Sequence, residues 1–317
     1  MNHRPDFLII GAMKSATSTL HEQLGAQPGI FMSSPKEIYY FSDDEYYQKG
    51  MDWYLNHFAQ ADRDDLCGES STHYTKLPTY PHTVDRIRSD LQGTKFIYVM
   101  RDPIDRLTSQ YIHHWTMRET LGSFDQCLAE TDILVAYSEY ARQLHPYFEA
   151  FGKENVLPVF FDRLCKYPQA ELERVCRFIG YDRHPEWMPE LSGQNESAAR
   201  LRTNPTRDAV LNAPVLSHLR RGLVPRNIRD RVKRLWQMQG RPSLSDAWRA
   251  KIVPRIDQDL RCLGDLMGID LNCENFKSAT SEPDSSPDWC DRPDMELVDS
   301  CIAISNSNVC GAGGDVI

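Results

Sequence analysis

The sequence contains no apolar run approaching the roughly 18 residues that a membrane-spanning helix requires. Its start, Met1-Asn2-His3-Arg4-Pro5-Asp6, leads into only a short apolar or small segment, Phe7 to Gly11, too brief for a secretory signal core. A cytoplasmic location is therefore expected. Basic charge is not in excess either: 36 Lys and Arg against 45 Asp and Glu leave a net −9, which argues against a dedicated nucleic-acid binder. No CxxC pair occurs among the nine cysteines, whose odd number and scatter speak against a disulfide framework or a zinc site and predict reduced, structural thiols. The 41% hydrophobic and 10% aromatic content excludes disorder of the whole chain.

What is present is an alternation of buried strands and helices. Phe7 to Gly11 reads as a buried parallel strand, followed by a loop and a helix through Leu20 and Leu24. A second strand, Lys95 to Met100, runs into Arg101-Asp102-Pro103 and a helix from Ile104 to about Trp115, with Asp102 as its cap and Pro103 in its first turn. A third strand, Val156 to Phe161, follows a helix over 138–151 and contains Pro158, which suits an edge position. Helices over 168–179 and 245–268 follow. The expected fold is α/β: a central, mainly parallel sheet flanked by helices, as one domain over residues 1–275 with a helical C-terminal region. Residues 276–317, rich in Ser, Asp, Pro, Gly and Asn, are expected to form a flexible tail.

Lys14 and Arg101 both fall at C-terminal strand ends, where ligands bind in such sheets. The loop Gly11-Ala12-Met13-Lys14-Ser15-Ala16-Thr17-Ser18-Thr19-Leu20 joins one lysine, four small hydroxyl residues and a helix N-terminus, which together make an anion cradle. The alternative is an ordinary polar helix start. It is not the G-x-x-x-x-G-K-[ST] loop of P-loop phosphotransferases. Ser109 stands eight residues after Arg101, about two helical turns up, and an arginine fork with a hydroxyl suits a phosphate monoester. The competing reading pairs Arg101 with Asp105, or Asp102 with Arg106, on a solvated helix face.

Taken together these segments resemble the sulfotransferases that use 3′-phosphoadenosine-5′-phosphosulfate (PAPS), in particular the carbohydrate (heparan-type) and bacterial branch. Ser34-Pro35-Lys36-Glu37-Ile38-Tyr39-Tyr40-Phe41 looks like its K-E-x-x-[FY]-F segment, and Gly68-Glu69-Ser70-Ser71-Thr72-His73-Tyr74 like its G-E-x-[ST]-x-x-Y segment. The resemblance covers about residues 5–180 and implies a P-loop-like single domain. It implies that Lys14 contacts the phosphosulfate bridge, that Ser15, Ala16, Thr17, Ser18 and Thr19 belong to the 5′-phosphosulfate loop, and that Arg101 and Ser109 grip the 3′-phosphate. Glu37 takes the place of the general base, which a weakly nucleophilic hydroxyl requires. No metal is implied, since Lys14 and backbone donors supply the charge. The usual glycines after the lysine are Ser15 and Ala16 here, and a lysine usual after the second acidic residue is Ser70.

The implied reaction moves a sulfuryl group from PAPS to a hydroxyl, or an amine, of a glycan, lipid or small molecule. A P-loop-type phosphotransferase and a non-catalytic nucleotide-binding protein are the alternatives. His73, His113 and His114 stand as rivals to Glu37, because imidazole titrates near neutrality. Glu69 is read as orienting Lys14 or a loop. Arg200 or Arg202, in the loop Gln194 to Arg202, is expected to reach the nucleotide. Residues 218–241 carry eight Lys or Arg against the one acid Asp230; they form either a solvated helix face or a landing strip for an anionic acceptor or membrane.

Overall fold

The computed structural model describes residues 3–120, 122–191, 238, 240–282 and 287–290. Five strands, β1 (Phe7–Gly11), β2 (Ile30–Met32), β3 (Leu66–Ser70), β4 (Lys95–Met100) and β5 (Val156–Phe160), form one sheet in the order β2-β3-β1-β4-β5. Every pairing is parallel. Among the described residues the α-helices are α1 (Thr17–Gly25), α2 (Asp44–Tyr47), α3 (Met51–Leu55), α4 (Thr83–Asp90), α5 (Pro103–Met117), α6 (Phe124–Glu130), α7 (Ile133–Ala136), α8 (Tyr140–Phe151), α9 (Phe161–Lys166), α10 (Pro168–Ile179), α11 (Asp246–Met267) and α12 (Phe276–Ala279).

The pleat divides the apolar strand residues between two cores. On one face Leu8, Ile10, Phe96, Tyr98, Met100, Val156 and Phe160 meet Leu144 and Tyr147 of α8 and Ile256, Leu260 and Leu263 of α11. On the other, Phe7, Ile9, Ile97, Val99, Leu157 and Val159 meet Leu20 and Leu24 of α1 and Leu172, Val175 and Ile179 of α10. Each such side chain, fully buried, contributes about 1.5–3 kcal/mol. The result is a sheet with helices on both faces.

The expected α/β class, the strand at 95–100 and the helix at 168–179 stand as predicted. Asp102 caps α5 through the Asp105 N–H at 2.8 Å, with Pro103 in its first turn. Pro158 lies on β5, an edge strand, where a missing N–H costs no ladder bond on the open side. Strands β2 and β3 carry no strand pattern in the sequence. The first has three residues, and the second, Leu-Cys-Gly-Glu-Ser, contains glycine and two polar residues. Gly68 is required there because it pairs with Phe7, and a Cβ would lie 2.2 Å from the Phe7 ring. The segment after 275 still packs on the domain where it is described: Phe276 and Trp289 are fully buried, and Trp289 Nε1 donates to the Val156 carbonyl at 2.7 Å. Six described cysteines are free, whereas Cys262 is disulfide-bonded, which corrects the expectation of wholly reduced thiols.

Candidate functional site

All five strands end on the same edge of the sheet, and the chain segments that leave them line one cleft of about 1170 Å³. The cleft opens at the switch point between β1 and β4, where crossovers diverge to opposite sides. Lys14, Ala16, Thr17, Ser18 and Thr19 line it from the β1 loop, Arg101 and Ser109 from β4 and α5, and Glu37 from the segment after β2. Ser15 does not line it; that side chain is fully buried, and its N–H donates to the Ala12 carbonyl at 3.2 Å.

Two left-handed residues, Lys14 (φ 70°) and Ala16 (φ 68°), shape the β1 loop. Left-handed positions alternating with ordinary ones form the backbone concavities that hold anions. Ala16 is the N-cap of α1 and offers no side-chain cap, so the first N–H groups of that helix keep their capacity for an anion. By contrast, α5, α6 and α11 are capped by Asp102, Ser123 and Ser245.

Arg101 is held from two directions. Tyr140, fully buried at the start of α8, donates its hydroxyl to the Arg101 carbonyl at 2.6 Å. The guanidinium lies over the Phe161 ring, 4.4 Å from its centroid, and donates to the Lys14 carbonyl at 3.5 Å. Its Nε is buried without a hydrogen-bond partner. The solvated pairs considered from sequence do not form. Arg106 is fully buried and donates to Ser138, Gln110 and the Leu134 carbonyl, while Asp105 pairs with Arg241 and Lys277 at 2.8 and 2.6 Å.

Glu37 also has left-handed backbone (φ 63°), held where its N–H donates to the Ser70 carbonyl at 2.8 Å. Such strain persists where surrounding contacts over-determine it, often at functional sites. Its carboxylate accepts from the Thr72 N–H at 2.8 Å, from the Thr72 hydroxyl, and from Lys36 Nζ at 2.5 Å. Glu69, fully buried, accepts from Tyr54, Ser71 and Tyr74 hydroxyls at 2.5, 2.5 and 2.8 Å. Ser71 in turn accepts from the Tyr39 N–H at 3.2 Å. Glu69 therefore orients the loop that carries Glu37 rather than Lys14, and burial pushes its carboxyl up to about 7.

The rival histidines separate. His73 is stacked between Tyr39 and Tyr80, at centroid distances of 3.9 and 4.5 Å, and burial lowers its basicity to about 3. His114 accepts from or donates to Gln110 and pairs with Glu119, so both ring nitrogens are engaged. His73, His113 and His114 all line the cleft. Arg200, Arg202 and most of 218–241 lie outside the described residues, but Arg241 at the end of that run reaches the cleft wall. Lys76, Tyr137 and Trp187 also line it. Tyr137 belongs to the segment Tyr137-Ser138-Glu139-Tyr140, which resembles a cleft-facing segment of the same family, whereas local pattern pointed to neither Lys76 nor Trp187, because chain segments distant in sequence bring them there. Among the described residues no group of three or more His, Cys, Asp or Glu is placed to hold a metal ion.

An uncapped helix start beside Lys14 at the switch point of a parallel sheet, with a carboxylate on the same cleft, places the cleft where proteins of the α/β class bind ligands, and the helix start suits an anion. The sulfotransferase domain family matches residues 4–234, and the chain belongs to that family. A membrane-associated sulfotransferase, kil1, of Dictyostelium discoideum is 39% identical over 110 residues, 34% of this chain and 22% of that protein. Heparan sulfate glucosamine 3-O-sulfotransferase 3B1 of Mus musculus is 29% identical over 188 residues, 56% of this chain and 47% of that protein. The matches thus span about half, or less, of these relatives' length. A crystal structure of a sulfotransferase from Alicyclobacillus acidocaldarius shares the fold, with a TM-score of 0.59 at 22% identity, covering 85% of this chain and 98% of that one. The expected cytoplasmic location is overturned by the relative described as membrane-associated. Among the described residues no helix is long and apolar enough to cross a membrane.

Proposed function

We propose that the protein transfers a sulfuryl group from PAPS to a hydroxyl of a glycan, with Glu37 as general base. The observation that carries this is the convergence, on one cleft at the switch point, of the Lys14 loop, the Arg101–Ser109 pair and Glu37. The names of the heparan sulfate relatives support a glycan acceptor, and that of human bifunctional heparan sulfate N-deacetylase/N-sulfotransferase 2, 26% identical over 200 residues, makes an amine the second choice.

The donor's two ends suit the two phosphate sites. The uncapped start of α1, with Thr17, Ser18 and Thr19, would take the 5′-phosphosulfate, while Arg101 and Ser109 would take the 3′-phosphate. Phe161 and Trp187 offer flat apolar faces suited to adenine. In the reaction the acceptor oxygen bonds to sulfur as the sulfur–oxygen bridge to the 5′-phosphate breaks. Glu37 takes the acceptor's proton, and Lys14 stabilises the charge left on the phosphate. Thr72 fixes the carboxylate, and Lys36 must yield its hold on Oε1 for that oxygen to accept a proton.

The test is calorimetric titration with PAP, the desulfated 3′,5′-bisphosphate, against 5′-AMP. Micromolar PAP binding with at least tenfold weaker AMP binding is expected, and no preference for PAP would overturn the proposal.

A further inference from the structure

Lys76 follows the 3₁₀ turn Thr72–Thr75 and leaves only 9% of its surface exposed, yet lines the cleft. Its backbone is bolted on both sides. Leu77 N–H donates to Gln143 Oε1 at 2.7 Å and the Leu77 carbonyl accepts from Gln143 Nε2 at 3.0 Å, while Tyr147 of α8 donates to the Tyr74 carbonyl at 2.8 Å. The ammonium lies 5.9 Å from the Tyr137 ring centroid, and among the described residues it makes no ion pair. The carboxylates that act on it at longer range are committed elsewhere, Glu37 to Lys36 and Thr72, Glu119 to His114. Arg106, the other buried cation near it, has three hydrogen-bond acceptors of its own.

Burying an ammonium with no counter-ion is costly. The cost shows in a basicity lowered to about 8, which still leaves the group mainly protonated at neutral pH. Nothing in the packing of α8 or the sheet uses that charge. It is carried on a tied backbone and largely desolvated on the wall that also carries Glu37, the condition under which a point charge binds an anion well.

We propose that Lys76 is a specificity-determining residue that binds an oxyanion, carboxylate or sulfate, carried by the acceptor, so that acidic sugars are taken in preference to neutral ones. The inference rests on the sulfuryl-transfer reading above. Its test uses the full chain saturated with PAP and ligand-observed NMR with methyl β-D-glucoside, methyl β-D-glucuronide and the 6-sulfate of the glucoside. At least one charged sugar should bind tenfold tighter than the neutral one, and which of them does so identifies the oxyanion. Lys76→Met should abolish that preference and Lys76→Arg retain it, with PAP affinity unchanged in both. Removing an unpaired buried charge should also raise the melting temperature of Lys76→Met, whereas a structural lysine would leave it lowered. Equal binding of the three sugars by the wild-type protein, no binding included, overturns the proposal, as does a preference that survives in Lys76→Met. Failure of PAP itself to bind would instead overturn the sulfotransferase reading.

Discussion

Ala16 holds a left-handed conformation that costs an L-residue about 1 kcal/mol, at a place where a glycine would be free of it. Ala16→Gly should therefore stabilise the fold by about 0.5–1 kcal/mol in urea unfolding, and a loss of stability would mean the loop is not strained there. In the proposed reaction Arg101 carries the most specific binding role. Its truncation in Arg101→Ala should weaken PAP by roughly 10- to 100-fold, the value of a charge-assisted contact, while leaving 5′-AMP binding nearly unchanged. Glu37 and His73 divide the question of the base. Glu37→Gln should lower turnover by about 10²-fold or more with PAP affinity retained, whereas His73→Phe keeps the ring between Tyr39 and Tyr80 and most of the turnover. A reversed order of these two losses in steady-state assays would move the proton acceptor to the imidazole.

At the level of elements, the site depends on how strand ends are tied to the helices behind them. Thr75, in the turn after β3, donates to the Ile10 carbonyl of β1 at 2.6 Å, and this contact sets Gly11 against it. A Cβ on Gly11 would stand 2.1 Å from the Thr75 oxygen and 2.8 Å from the Tyr98 ring. Gly11→Ala is expected to cost about 1–3 kcal/mol, the range of overpacked cores, and to displace the Lys14 loop, so thermal stability and PAP affinity should fall together. Loss of one without the other would show that the tie between β1 and the turn does not place the loop. Tyr140 plays a similar part for β4, since its hydroxyl serves the Arg101 carbonyl from a helix 39 residues away.

Across the whole molecule, two fully buried carboxyls, Glu69 and Asp259, are pushed up to about 7 by desolvation. In the folded state each keeps its proton between about pH 4 and 7, where the unfolded chain has lost it. The folded form binds more protons in that window, so this contribution to stability falls as pH rises through it. His21 and His73, held neutral with basicities near 4 and 3, act in the opposite direction below pH 6.5. A comparison of Glu69→Gln with wild type isolates the carboxyl: the variant should gain in relative stability as pH rises from 4.5 to 7.5, and a flat difference would place the charge of Glu69 in a solvated site.

Much of this was legible along the chain. The short apolar run Phe7 to Ile10, ending in Gly11, has the length and composition of a strand buried on both faces of a parallel sheet, which is what β1 is. Asp102-Pro103 starts a helix by local capping and a preset φ, so the position of Arg101 at a strand end follows from neighbours in sequence. The Lys14 loop and the Arg101–Ser109 spacing are likewise local. What folding alone settles is non-local. Strand β3 exists because Gly68 fits against Phe7 and its backbone finds ladders on both sides, not because its residues favour a strand. His73 loses basicity through burial between two tyrosines brought to its faces, and Lys76 and Arg241 gain their places on the cleft from α8 and α5. Propensity and capping act over a few residues, whereas desolvation and charge depend on which distant segments share the same space.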